Sequence, residues 1–476
     1  MKHAVLGAII ALSFIMHARA QPTSPDDLTR RTIERRAVEA MIWGMPAVNY
    51  DLMLQAMLTT TTAKPNQIVY WSRPVNWRNQ TLTPNPDAIY FMTFTDTRNG
   101  PIVIEVPPAE SGSIAGNIVT VWQMPLEDAG PAGADEGRGG KFLILPPDYK
   151  DAPPDGFIAL RSDTYGGYAL LRVNLPSHTD ADIARSVAYG KLLRVYPLSQ
   201  AANPVPTIFT DAYDVLFDST IRYDASFFRS LDRIVQTEPW LQRDRAMIDS
   251  LRMIGIEKGK PFNPDRRVQG ILDAAAREAQ AVLAQRYDAG FPVMNQGIRW
   301  FPAAVPEVVR AVSSGYANPD EYPVDARGVT YTLGYIGIKR LGTAQFYLMA
   351  NKDKAGADFD GAATYRLTVP ANAPVKQYWS VTVYDRETHA LIKDLDRASR
   401  ASNAADMQKN ADGSVDVYFG PRAPAGKETN WVPTDPARKF ELLFRLYGPE
   451  KAFFDKDWKL PDAERIAGGA QTTGNQ

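Results

Sequence analysis

Cysteine is absent from all 476 residues. That excludes disulfide staples, thiol nucleophiles and cysteine-ligated metals. Stability must come from buried core, which a chain of this length can supply. Histidine is nearly as scarce. Of the four, His3 and His17 flank an apolar N-terminal stretch, which leaves His178 and His389 for the rest of the chain. A three-histidine zinc site or a multi-histidine copper site cannot be built from two within one subunit. A charge excess is missing too. The formal net charge is −1, so no global field draws the chain to nucleic acid or to an anionic membrane. No glycine-rich stretch ends in the Gly-Lys-Ser/Thr of a phosphate loop, and no Gly-x-Ser-x-Gly nucleophile elbow occurs. The acidic segments around Asp360-Gly361 and Asp412-Gly413 lack EF-hand spacing and read as hairpin turns; a weak calcium site there is left open. No metal and no cofactor are expected.

Long hydrophobic runs are also lacking, with one exception. Ala4 to Met16 is apolar, follows Lys2 and His3, and precedes Ala18-Arg19-Ala20. It is too short to span a bilayer comfortably and is followed by small residues at the positions a signal peptidase needs. Residues 1–20 therefore read as a secretory signal peptide cleaved after Ala20, with an uncleaved anchor as the alternative. A periplasmic or secreted protein is expected, without a stable membrane anchor after cleavage and without nucleic acid as partner. A small molecule or a glycan is the partner expected, and a homo-oligomer is left open.

What is present divides by hydrophobic period. Ser24-Pro25-Asp26-Asp27 combines a capping hydroxyl, a first-turn proline and acids at the positive end of the helix dipole. It predicts a helix through TRRTIERRAVEAMI, a break at Trp43-Gly44-Met45-Pro46, and a second helix over VNYDLMLQAM. From residue 88 the period changes to two. AIYFMTFTD, PIVIEVPP, NIVTVWQM, KFLILPP, GFIALRS and GYALLRVNL are short alternating runs separated by Pro, Gly or Asp. The glycine-rich EDAGPAGADEGRGGK, residues 127–141, reads as a flap or surface loop. Thr179 can cap a helix, and residues 211–315 carry apolar side chains at helical spacing. Strands are expected to resume near residue 329 with VTYTLGYIGI. The fold class is then α+β and multidomain: two antiparallel jelly-roll-like β-sandwiches, an N-terminal helical segment and a helical middle region. The expected boundaries are 21–200, 201–328 and 329–476, with the first sandwich in the first and the second in the last.

At this point the motifs resemble a known pairing. GMPAVNYDLM, TPNPDAIYFMTF, PIVIEVPPAE and GGKFLILPPDY resemble the bacterial domain of unknown function 1254. YRLTVPANAPVKQYWSVTVYDRETHALI, NADGSVDVYFGPRAPAGKETNWVPTDP and FRLYGPEKAFFDKDWKLPD resemble its usual partner, the domain of unknown function 1214. The resemblance implies two jelly-roll-like sandwiches with a helical part, similar in fold to those of copper monooxygenases and of a glycan-releasing amidase. It implies no activity, because fold does not fix chemistry. Copper chemistry would need histidines that this chain lacks.

TLTPNPDAIY, residues 81–90, concentrates the candidate chemistry. Asp87 is the candidate catalytic residue, as a general base or as the orienter of a substrate hydroxyl. Asn85 could hold an amide or a sugar, and Tyr90 could stack or donate. Turn chemistry alone also accounts for this stretch, since Asx side chains bond nearby backbone N–H groups and proline presets the chain direction. Trp122 and Arg138, beside the glycine-rich loop, are candidate substrate-binding residues, because a sugar cleft needs an apolar face and polar donors; a core tryptophan beside a solvated loop is the plainer account. His178, just before a helix, reads as a surface residue and His389 as structural. Arg445 lies on the strand face opposite Phe440, Leu442, Phe444 and Leu446; an arginine inside a strand could hold a carboxylate, and an exposed-face arginine is the commoner case. The function read from these residues is metal-independent hydrolysis or binding of an envelope-associated glycan or amide. The alternative is a periplasmic binding or scaffolding protein without catalysis.

Overall fold

Alternation of apolar side chains builds two β-sandwiches, each with its own core. The computed structural model describes residues 24–289, 291–334, 339–340 and 344–466. The expected signal peptide, residues 1–20, lies outside them.

In the first sandwich a six-stranded sheet runs in the order Phe209–Asp211, Ile68–Tyr70, Ala88–Asp96, Gly166–Asn174, Ile114–Thr120, Pro125–Ala129. It faces a four-stranded sheet ordered Arg194–Pro197, Ile102–Val106, Gly140–Leu145, Ile158–Arg161. Ile89, Phe91, Leu171 and Val173 of one sheet share a buried cluster with Ile104, Phe142 and Ile144 of the other. In the second sandwich Gln345–Ala350, Lys439–Tyr447 and Trp379–Asp385 lie side by side, and Val381, Leu442 and Phe444 pack against Leu367, Val417 and Phe419 of a four-stranded sheet. The chain is thus α+β and multidomain. The central strands pair antiparallel, but four pairs among the described residues are parallel: Ile68–Tyr70 with Phe209–Asp211, Asn79–Gln80 with Phe217–Asp218, Gly140–Leu145 with Ile158–Arg161, and Val415–Gly420 with Trp431–Pro433.

Three local expectations change. Pro25–Thr60 is one continuous helix, capped by Ser24 and carrying Pro46 inside it. An interior proline costs about 3 kcal/mol. Here the helix is buried on every side from Met41 to Asp51, and that packing outweighs the missing N–H. Gln123 Nε2 also donates to the Pro46 carbonyl at 2.9 Å. The second change is at VTYTL, which is helical, within Val324–Leu333, rather than a strand. Its β-branched side chains are buried among helices, and Gly328 lets the chain approach Ile42 so closely that a Cβ would meet the Ile42 side chain at 2.8 Å. Of the strand expected beyond it, residues 335–338 and 341–343 lie outside the described residues. Third, residues 127–141 do not form an open flap. Pro125–Ala129 is a strand, and the buried Asp135 accepts from Gly130 N at 2.6 Å to fold the loop onto itself.

The outer faces of the two six-stranded sheets position the site. Tyr90 and Met92 on one, and Tyr384 and Leu443 on the other, join the cluster built around the long helix. Neither face is left to water.

Candidate functional site

The turn before the strand Ala88–Asp96 is held from outside as well as within. Thr83 has φ +39°, and its N–H donates to the His389 carbonyl at 2.7 Å. Its hydroxyl donates to the Leu333 carbonyl at 2.9 Å. Tyr384 donates to the Pro84 carbonyl at 2.6 Å. Asn85 supplies the Asx bond, accepting the Asp87 N–H on Oδ1 at 3.0 Å, and its own N–H donates to the Tyr90 hydroxyl at 3.0 Å. Asn85 and Tyr90 are therefore engaged in shaping the turn.

That division of labour leaves the Asp87 carboxylate for other partners. It is 2% exposed. Oδ1 accepts from the Ser399 hydroxyl at 2.9 Å and lies 3.2 Å from His178 Nε2. Burial, the largest single influence, pushes the Asp87 pKa up, but the hydrogen bond and charge of His178 together with Ser380 and Arg445 outweigh it. The net direction is down, so Asp87 is a carboxylate at neutral pH. The Ser380 hydroxyl acts without closing a bond of hydrogen-bond length, and Oδ2 keeps no partner among the described residues.

His178 reaches Asp87 from the loop that precedes the helix Asp180–Gly190, which Thr179 caps. Its side chain is 29% exposed, but Nδ1 itself is buried and has no hydrogen-bond partner among the described residues. Both residues line a cleft of about 450 Å3 between the two sandwiches. Trp77 and Tyr213 give it aromatic walls, and Arg397, Arg400 and Asp406 give it charge. Arg400 pairs with Asp406 at 2.6 Å, while Arg397 bonds the Glu428 and Trp431 carbonyls.

The structure does not bring Trp122 or Arg138 to this cleft. Trp122 is buried against Trp43, ring centroids 4.6 Å apart, and its carbonyl accepts from Arg327 at 2.5 Å. Arg138 is 73% exposed and pairs with Glu136 on the loop surface. Trp122 is turned away from the cleft by packing onto the long helix, and Arg138 by its place on the exposed loop. Asn430, in the Asn-Trp motif, spends its amide on the Gln408 and Asp416 carbonyls.

His178 and Ser399 were missed as partners of Asp87. Only the scarcity of histidine pointed to His178; nothing local joins positions 87, 178 and 399. The other histidine also meets a buried acid. His389 Nδ1 lies 2.6 Å from Glu441 Oε1, and Tyr287 donates to Oε2 at 2.7 Å. His389 and Tyr287 line a separate cavity of about 210 Å3. Among the described residues no group of three or more His, Asp or Glu is arranged to hold a metal ion.

The fold is similar to that of a solved structure. The crystal structure of the VPA0106 protein from Vibrio parahaemolyticus is similar over 91% of this chain and all of its own, with a TM-score of 0.57 at 17% identity. An uncharacterised protein from Burkholderia cenocepacia aligns over 92% of this chain and 95% of its own, with a TM-score of 0.40 at 12% identity. No curated protein matches the sequence. Two family patterns do: residues 65–197 match DUF1254 and residues 344–451 match DUF1214, each described as a protein of unknown function. The chain belongs to the family that pairs a DUF1254 region with a DUF1214 region.

Proposed function

We propose that this is an exported hydrolase acting on a polar glycan or amide by acid–base catalysis, with Asp87 and His178 as the working pair. The jelly-roll-like path of the two sandwiches and the periplasmic or secreted location belong to the same proposal. The observation that carries it is the pairing of a buried carboxylate with a histidine whose second nitrogen is unclaimed, at a cleft formed by both sandwiches. Asp87 holds the ring through Nε2. Nδ1, buried in the free protein, can take a proton from a water that enters with the substrate; that water attacks the scissile centre, and Nδ1 returns the proton to the leaving group. A positioned base of this kind contributes on the order of 100- to 10,000-fold in rate. Ser399 donates to Asp87, so its role is to anchor the carboxylate rather than to act as the nucleophile. Trp77 and Tyr213 suit the flat faces of a sugar or planar amide.

The test is incubation of purified protein with envelope glycans, peptides and a metabolite library, read by mass spectrometry. Wild type should release product, and Asp87→Asn and His178→Asn should each lose at least about 100-fold in kcat/KM with the fold retained. Equal turnover by both variants overturns the assignment. Saturable binding without turnover by wild type indicates the binding-protein alternative.

A further inference from the structure

Two arginines meet where the outer sheet faces are pressed together. Arg172, on the strand Gly166–Asn174, is 8% exposed, and Arg445, on Lys439–Tyr447, is 1% exposed. Both line a cavity of about 50 Å3. Arg172 Nη1 donates to the Tyr347 hydroxyl at 2.8 Å. Arg445 donates to Thr382 Oγ1 at 2.8 Å, to the Tyr384 hydroxyl at 2.6 Å and to the Thr83 carbonyl at 3.0 Å. Every one of these partners is neutral. Among the described residues no carboxylate pairs with either guanidinium, and the acid whose field reaches Arg445, Asp87, is already held by His178 and Ser399. A buried charge without a counter-charge is costly unless a ligand supplies one.

The donors around the cavity also outnumber its free acceptors. Among the described residues, Nε of Arg172 and Nε of Arg445 are buried without partners. The Tyr90 hydroxyl accepts from Asn85 N, which leaves its proton to give. The hydroxyls of Tyr347 and Thr83 already donate elsewhere, to Gln345 and to the Leu333 carbonyl. Spare donors plus uncompensated positive charge select an anion, and a guanidinium fork matches a carboxylate. The volume equals that of roughly three or four waters. Met53, Met92 and Leu170 on the walls suit a short alkyl tail.

We propose that this cavity binds a small monocarboxylate, acetate to propionate in size, which bridges Arg172 of the first sandwich and Arg445 of the second. The site is distinct from the Asp87–His178 cleft, and the proposal does not rest on the hydrolytic reading.

The experiment titrates the full-length protein, in a zwitterionic buffer at neutral pH, with sodium acetate and sodium propionate. Sodium chloride at matched ionic strength and neutral acetamide are the controls. Calorimetry should show saturable carboxylate binding, with acetamide and chloride at least tenfold weaker and a rise in Tm for the carboxylates alone. Arg172→Gln and Arg445→Gln should each weaken acetate binding at least tenfold. Non-saturable binding, equal binding of acetamide or chloride, or full affinity in a folded variant overturns the proposal. If both variants fail to fold, wild-type crystals soaked in acetate decide: density between the two guanidinium groups supports the bridge, and its absence at saturating acetate overturns it.

Discussion

Tyr447 donates its hydroxyl to Asn85 Oδ1 at 3.0 Å, across the boundary between the two sandwiches. The same oxygen accepts the Asp87 N–H. A residue of the C-terminal domain thus helps set the turn that presents the candidate catalytic carboxylate of the N-terminal one. Tyr447→Phe keeps the ring, which stacks on Tyr378 at 4.0 Å, and removes only the hydroxyl. Unfolding in urea should show a loss of about 1 kcal/mol. A loss near zero would mean that the interdomain bond contributes nothing to the fold.

Asp87 also makes a statement about pH. Its folded pKa lies below the ordinary carboxylate value: burial, the largest influence, raises it, and His178, Ser380 and Arg445 together lower it by more. A depressed folded pKa stabilises the protein above the unfolded value, near 3.9, and that contribution is lost as pH falls through the folded value. Wild type should therefore exceed Asp87→Asn in stability at pH 7, and the gap should close below about pH 4. A gap independent of pH from 7 to 3 would contradict the geometry at His178.

The buried pair of His389 and Glu441 is a different case. Glu441 is 0% exposed and is bonded by both His389 and Tyr287. His389→Ala removes one partner and leaves the acid in place, and should cost about 3 kcal/mol in chemical denaturation. His389→Ala with Glu441→Gln should recover part of that loss, because the second change removes a buried charge left with only Tyr287 and, at 3.8 Å, Arg386. Additive losses would show that the two side chains do not interact.

Gly190, at the end of the helix Asp180–Gly190, has room for no side chain. A Cβ there would meet the Phe91 ring at 2.0 Å. Phe91 is itself fixed in the first core. Gly190→Ala should lower stability by about 1–3 kcal/mol, and the Tm should fall with it. An unchanged Tm would mean that the helix can move off the sheet.

Much of the architecture is legible in the chain. Each alternating run between residues 88 and 175 is a strand, and Ser24 and Thr179 cap the helices expected of them. These features depend on neighbours within a few residues, so local pattern suffices. The failures lie where distant parts decide. Pro46 reads as a break and sits in a continuous helix, because burial on every side outweighs one lost bond. VTYTL reads as a strand and is helical, because helices surround it.

Arg445 shows the same limit at the site. Strand alternation assigned it correctly to the face opposite Phe444. It did not reveal that this face is covered by the other sandwich, which leaves the guanidinium 1% exposed. The two-sandwich α+β plan, the poverty of thiol and imidazole chemistry, and the turn that carries Asp87 are all local properties of the chain. The approach of His178 and Ser399 to that carboxylate, and the sharing of one cavity by Arg172 and Arg445, arise only when distant segments pack together. Periodicity specifies which side of a strand a residue faces. What lies opposite that side depends on packing between segments hundreds of residues apart, which no local pattern encodes.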